Sequence, residues 1–194
     1  MTDLTEEIAA AAARLIVDEG MDWGAAKQRA ARDLDAPRAA LPGNDEVEAA
    51  VREHIAIFHA DTQPAELRAL RELAAQWMAR LAEFRPHLTG AVWRGTATRL
   101  SNVHLQLYCD DSKAAEIALL DRGVDFDVAE AKGPRGKPVD MLVLDAPCPA
   151  LQERVTICLT ILDFDDLRGA LKPDAGGRTE RGDLAALLSL LESE

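Results

Sequence analysis

Two hydrophobic periods divide the chain. In "TDLTEEIAAAAARLIVDEG" the apolar residues Ile8, Ala12, Leu15 and Ile16 recur at helical spacing, acids occupy the first turn, and Gly20 supplies a stop. A second helix is expected from Asp22 to about Asp35, before Pro37, Pro42 and Gly43 break the pattern. Asn44 or Asp45 is read as the cap of a third helix, with Val47, Val51, Ile55 and Phe58 on one stripe. A fourth is capped by Thr62, carries Pro64 in its first turn, and runs along Leu67, Leu70, Leu73, Trp77, Leu81 and Phe84 until Pro86 closes it. Beyond Pro86 the period becomes two. Strands are expected at 87–94, 102–109, 124–130, 139–145 and 153–162, with one helix over 112–122 stopped by Gly123. "AKGPRGKP" (131–138) reads as a hairpin loop, and helices near 164–171 and 180–192 flank "KPDAGGR".

This change of period predicts an α+β protein. Residues 1–85 form a helical N-terminal region of about four helices, and residues 86–194 form a mixed-sheet core with C-terminal helices. At 194 residues the chain can bury one good core, as one domain or as a small domain with a helical extension. No apolar run approaches the roughly 18 residues of a membrane span, and the acids Asp3, Glu6 and Glu7 stand where a secretory leader would be basic. No membrane partner and a cytoplasmic location are therefore expected. Cys109, Cys148 and Cys158 are odd in number and lack a CxxC pair, which argues against a disulfide framework and a structural zinc site. The formal net charge of −12 disfavours a nucleic-acid partner. Ala is abundant and Arg outnumbers Lys, a bacterial-like bias of genome composition rather than of function. No GxxxxGK[ST] loop and no GxSxG elbow is present.

The chemistry-bearing stretch is "GAVWRGTATRLSNVHLQL", residues 90–107. It resembles the nucleotidyltransferases of the DNA polymerase beta type, whose pattern is Gly-Ser-x-x-Arg-Gly-Thr-Ala-Thr-x-x-Ser-Asp-Ile-Asp-Leu. Gly90, Arg94, Gly95, Thr96, Ala97, Thr98, Ser101 and Leu105 match in register, and Val103 stands for the Ile. The resemblance covers 90–105 closely and the layout of 87–163 more loosely. It implies a minimal nucleotidyltransferase fold in which a Gly-Ser turn approaches a triphosphate and an Asp-x-Asp pair on one strand face holds two divalent ions.

The departures fall on the reacting residues. Ala91 replaces the Ser, Asn102 the first Asp and His104 the second. Magnesium prefers oxygen ligands, so the loss of both carboxylates removes the ordinary cage. The leading expectation is a degenerate member that has lost metal-dependent transfer and holds a nucleotide or other small anionic ligand through Gly90, Arg94, Gly95, Thr96, Thr98, Ser101, Asn102 and His104. A second is an active transferase with a rearranged site, in which His104, Asp140 and Asp110 hold the ion. Only there is a divalent cofactor implied, magnesium or manganese, or zinc at the imidazole. A third is a regulatory module that binds a protein partner through the N-terminal helices.

Each residue also has a plainer account. Asn102, His104, Gln106 and Tyr108 alternate with Val103, Leu105, Leu107 and Cys109, as the wet face of a half-buried strand would. His54 and His59 are five apart, a spacing that puts two imidazoles on different sides of a helix, and they read as surface or partly buried residues. Trp77 and Phe84 fit the apolar stripe of the fourth helix, and Asp110 or Asp111 reads as the cap of the helix that follows.

Overall fold

The computed structural model describes residues 3–36, 40–134, 136–168, 171–173 and 177–193. It is a mixed α+β structure with the helices first: α1 (Leu4–Glu19), α2 (Trp23–Asp33), α3 (Asn44–Phe58) and α4 (Gln63–Arg80) precede the first strand. The rest comprises β1 (His87–Thr89), α5 (Gly90–Arg94), β2 (Val103–Cys109), α6 (Ala114–Asp121), β3 (Asp127–Lys132), β4 (Pro138–Cys148), β5 (Glu153–Asp163), β6 (Arg181–Gly182) and α7 (Leu184–Ser193). No helix among the described residues is long and apolar enough to cross a membrane.

Contacts divide the chain into two compact units. One comprises residues 1–67 with 96–101, and the other residues 68–95 with 102–194. In the helical unit the caps behave as the side chains dictate. Asp3 accepts from the Thr5 N–H at 3.4 Å, and Asp22 accepts from Gly24 and Ala25 at 2.9 and 3.2 Å, satisfying donors that the first helical turn leaves open. The cap of α3 is Gly43 rather than Asn44 or Asp45, and the Glu46 carboxylate reaches back to the Gly43 N–H at 2.6 Å. α1 has two buried stripes. Ile8, Ala12 and Leu15 meet Ala26, Ala30 and Ala31 of α2, while Ala9, Ala13 and Val17 meet Val47, Val51 and Ile55 of α3. The alanines let the helix axes approach closely without a bulky side chain between them.

In the second unit a six-stranded sheet runs in the order β3-β4-β5-β2-β1-β6. Only β2 and β5 are parallel neighbours; the other pairs are antiparallel. Leu105 sits opposite Leu159, which sits opposite Leu142, and all three are fully buried. That row is the centre of the sheet's core.

Three local expectations need correction. The strand expected over 87–94 ends at Thr89, because Gly90 takes a φ of 74° and Gly90–Arg94 coil into a helix. The helix expected from 180 starts only at Leu184, since Arg181 and Gly182 pair with Thr89 and Leu88 as an edge strand. Phe164–Leu167 is a 3-10 turn where a helix over 164–171 was expected, and parts of that span and of 172–178 lie outside the described residues. The hairpin over 131–138 joins β3 to β4, closed by a Gly133 N–H to Lys137 carbonyl bond of 2.8 Å, with Arg135 outside the described residues.

Candidate functional site

The motif begins where β1 ends. The left-handed backbone at Gly90 turns the chain into α5, and a Cβ added there would lie 3.7 Å from His104 Cδ2 and 3.8 Å from its Cβ. Thr89 pairs directly with His104 across β1 and β2. The turn and His104 thus face each other. Gly95 closes α5 in a left-handed conformation, and its N–H donates to the Ala91 carbonyl at 2.9 Å.

The eight expected ligand residues fall in two different units. Gly90, Arg94, Gly95, Asn102 and His104 belong to the sheet unit, whereas Thr96, Thr98 and Ser101 belong to the helical unit. Thr96 and Thr98 are buried, Ser101 Oγ accepts from the Thr98 N–H at 3.0 Å, and Gln63 donates to the Ala97 carbonyl at 2.8 Å. The Thr-rich loop is thereby largely tied up in its own unit. The Ser101 hydroxyl holds the turn, while the buried Thr96 hydroxyl has no hydrogen-bond partner.

Strand register separates the proposed metal ligands. His104 pairs with Cys158, which pairs with Val143, so His104 shares a face with Val143 and the alternating Met141 and Asp145. Asp140 alternates with Met141 and lies on the opposite face, with Leu142 and Leu105. The set of His104 with Asp140 therefore cannot hold one ion. Asp140 instead lies 3.2 Å from Lys113 Nζ, which also bonds Glu116 at 2.6 Å. Asp110 goes with Asp140, since both line a cleft of about 560 Å³ with Glu130 and Asp163. Neither Asp110 nor Asp111 caps the following helix: its cap position is Lys113, without a side-chain cap bond, and the Asp111 carboxylate accepts from the Lys113 N–H at 2.9 Å in the turn before it. The acids on His104's own face are Asp145, exposed and accepting from the Thr156 hydroxyl at 2.7 Å, and Asp127, exposed and paired with Val143 on the edge strand β3.

The face expected to be wet is half closed. Asn102 is exposed and His104 and Gln106 are half-buried, but Tyr108 is fully buried. Gln106 Oε1 accepts from the Tyr108 hydroxyl at 3.1 Å and from Arg181 Nη1 at 2.8 Å, and the Tyr108 ring meets His87 edge-on at 5.2 Å. Arg181 arrives on β6, the strand that the sequence pattern missed. Its Nε is buried with no hydrogen-bond partner. Arg181, Thr89 and His104 make one cross-strand row, so a guanidinium and an imidazole occupy one region of the sheet face. A second missed residue is Arg71 on α4. It is buried, and it donates from Nε to the Val92 carbonyl at 3.0 Å and from Nη2 to the Trp93 carbonyl at 3.1 Å, holding the far end of α5.

The helical unit holds a separate cluster. His54 Nε2 lies 3.1 and 3.2 Å from the two Asp18 carboxylate oxygens, and His59 Nε2 lies 2.9 Å from Oδ1. Burial, the largest influence on Asp18, pushes its carboxyl up. The hydrogen bonds from His59 and His54, with their charges, together outweigh it and hold the group below the ordinary carboxylate range. The spacing of five misleads because α3 stops at Phe58. His59 is the cap, with φ −129° and ψ 14°, and these torsions bring its ring back beside His54.

The three cysteines are free and buried. Burial, followed by the charges of Asp110 and Asp111, pushes the Cys109 thiol up to about 11, and burial raises Cys158 as well. A thiol reagent at pH 8 should therefore label none of them rapidly in the native protein and all three after unfolding. The native protein holds the Cys109 proton where the unfolded chain, near ~8.5, releases it, so stability is present below that value and declines as pH rises toward 11. Rapid native labelling at pH 8 would contradict this burial.

No protein-family model, curated protein or solved structure matches the chain.

Proposed function

We propose that this chain is a nucleotidyltransferase-like protein without two-metal nucleotidyl transfer, and that the sheet face around Gly90, Asn102, His104 and Arg181 binds a nucleotide or another small anion. The observation that carries the reading is the charge of that face. The Gly90 turn sits against the motif strand as a triphosphate site needs, yet an imidazole and the Arg181 guanidinium stand there, and the acids sharing that face, Asp145 and Asp127, lie two and three strands away on β4 and β3. Two divalent ions beside His104 would find no carboxylate at the β1, β2 or β5 positions of that face. A phosphate would meet positive and neutral donors. Arg94, at the end of α5, adds a further cation near the motif turn.

Calorimetric titration with ATP, GTP, CTP and UTP, with and without magnesium, tests this. The expected result is binding of at least one nucleotide that does not require magnesium, releases no pyrophosphate, and weakens about tenfold or more in Arg181→Gln, as loss of one charge-assisted bond predicts. Absence of binding at millimolar nucleotide would remove the ligand, and magnesium-dependent binding with pyrophosphate release would remove the inactive reading.

A further inference from the structure

We propose that Asp18, His54 and His59 form a binding site for one divalent transition ion, with zinc the best match. The site lies wholly in the helical unit and is independent of the nucleotide reading.

The donor set favours such an ion. Two imidazole Nε2 atoms and a carboxylate oxygen converge, with the three ligand atoms all within 4.8 Å of one another. Zinc held at ~2.0–2.1 Å by tetrahedral ligands places neighbouring donors about 3.3 Å apart. The present histidine-to-carboxylate separations of 2.9 to 3.2 Å differ from that by a few tenths of an ångström, and the two imidazole nitrogens lie within 4.8 Å of each other, so a metal could replace the bridging protons once the two rings adjust around it. Imidazole nitrogen suits zinc, nickel or copper, whereas magnesium and calcium demand oxygen shells that two histidines do not supply.

The scaffold favours a cation. Asp18 lies in the last turn of α1, His54 stands one residue before the last turn of α3 and His59 is its cap, so the carbonyl ends of two helices meet at the cluster. Both ends carry partial negative charge, and neither helix has a basic residue in its last turn to answer it. The ligands are also held in place. Asp18 follows Val17 and His54 precedes Ile55, and both of those residues are buried in the contact between α1 and α3. The His54 ring packs on Phe58 at a centroid distance of 4.7 Å. His54 is 14% exposed, while His59 and Asp18 are 30% and 39% exposed, so the outer side stays open to water as a fourth ligand. Glu19 is engaged elsewhere, 2.7 Å from Arg29.

The chain has four histidines, which makes the assignment directly readable. Tag-free, chelator-treated full-length protein would be titrated with zinc against a chromophoric chelator, and its imidazole nitrogens followed by long-range ¹H–¹⁵N NMR. The expected result is one equivalent bound with a dissociation constant below about 10 µM, shifts at the Nε2 of His54 and His59 but not of His87 or His104, and weakening by at least about tenfold in Asp18→Asn and in the His54→Gln/His59→Gln pair. A Tm that rises with zinc concentration in the wild type and not in the double variant would agree. Binding weaker than about 1 mM, unchanged binding in the double variant, or shifts confined to His87 and His104 would overturn the proposal. The NMR arm uses the wild type alone, so it decides the matter even if a variant fails to fold.

Discussion

Arg71→Ala is expected to destabilise the sheet unit by about 3–5 kcal/mol, a large share of the roughly 5–15 kcal/mol that holds most domains folded. Arg71 is 6% exposed, and its guanidinium donates to two successive carbonyls, Val92 and Trp93, at 3.0 and 3.1 Å. Those carbonyls belong to the last turn of α5, which has no following turn to satisfy them. A cation at that end also meets the negative pole of the helix. Truncation removes both charge-assisted bonds and the packing of the stem, and strips the carbonyls of these donors in a buried setting. Because α5 links the Gly90 turn to the rest of the motif, the damage reaches the candidate site. Arg71→Lys should be intermediate, since an ammonium lacks the planar fork that spans two acceptors. Urea unfolding with an unchanged slope and a lowered midpoint would report the loss. A Cm shift worth under about 1 kcal/mol in Arg71→Ala would show that α5 holds itself.

Gly182→Val should be similarly damaging, by about 3 kcal/mol or more, for a steric reason. The backbone φ at Gly182 is not positive, so the constraint is not one of torsion. The Trp93 ring covers the residue, and any Cβ placed there would overlap Cη2 and Cζ3 of the indole. The ring cannot swing aside freely, because its Nε1 donates to the Thr179 carbonyl at 2.8 Å. Overpacking of this kind costs ~1–3 kcal/mol by itself. Here it would also lift β6 from β1, where Gly182 pairs with Leu88 and Arg181 with Thr89. Arg181 would then leave Gln106 and Tyr108, and the buried Tyr108 ring would lose a polar neighbour. Tryptophan emission should change with the unfolding midpoint, and nucleotide affinity, if the anion face is as proposed, should fall with it. Wild-type emission and stability in Gly182→Val would mean that the Trp93 contact is readily relieved.

The two substitutions act on residues that no motif marks. Arg71 lies among the polar positions of an amphipathic helix, and nothing local distinguishes it from Arg68 or Arg80. Gly182 sits in a dipeptide too short to show a strand period, and the apolar run that follows led the expected helix to begin at residue 180, one residue before the strand. A two-residue edge strand exists only because β1 offers it a partner. Asp140 teaches the same lesson in the other direction. Its alternation with Leu142 and Leu144 is visible in the sequence, but the face it shares can be compared with that of His104 only through β5, which pairs with both strands.

What the sequence determined by itself is local. Period 3.6 before Pro86 and period two after it, the acidic caps and the glycine stops specify the helices, most strands and the α+β class, because backbone hydrogen bonding and side-chain alternation are properties of neighbouring residues. The buried face of β2 follows from the same alternation. Tertiary structure decided which side chains meet. The end of α3 at Phe58 brought His59 beside His54 and Asp18, and strand order put Arg181 on the face of His104 and Asp140 behind it. Such pairings depend on residues tens of positions apart, and on where an element stops, which no window along the chain contains.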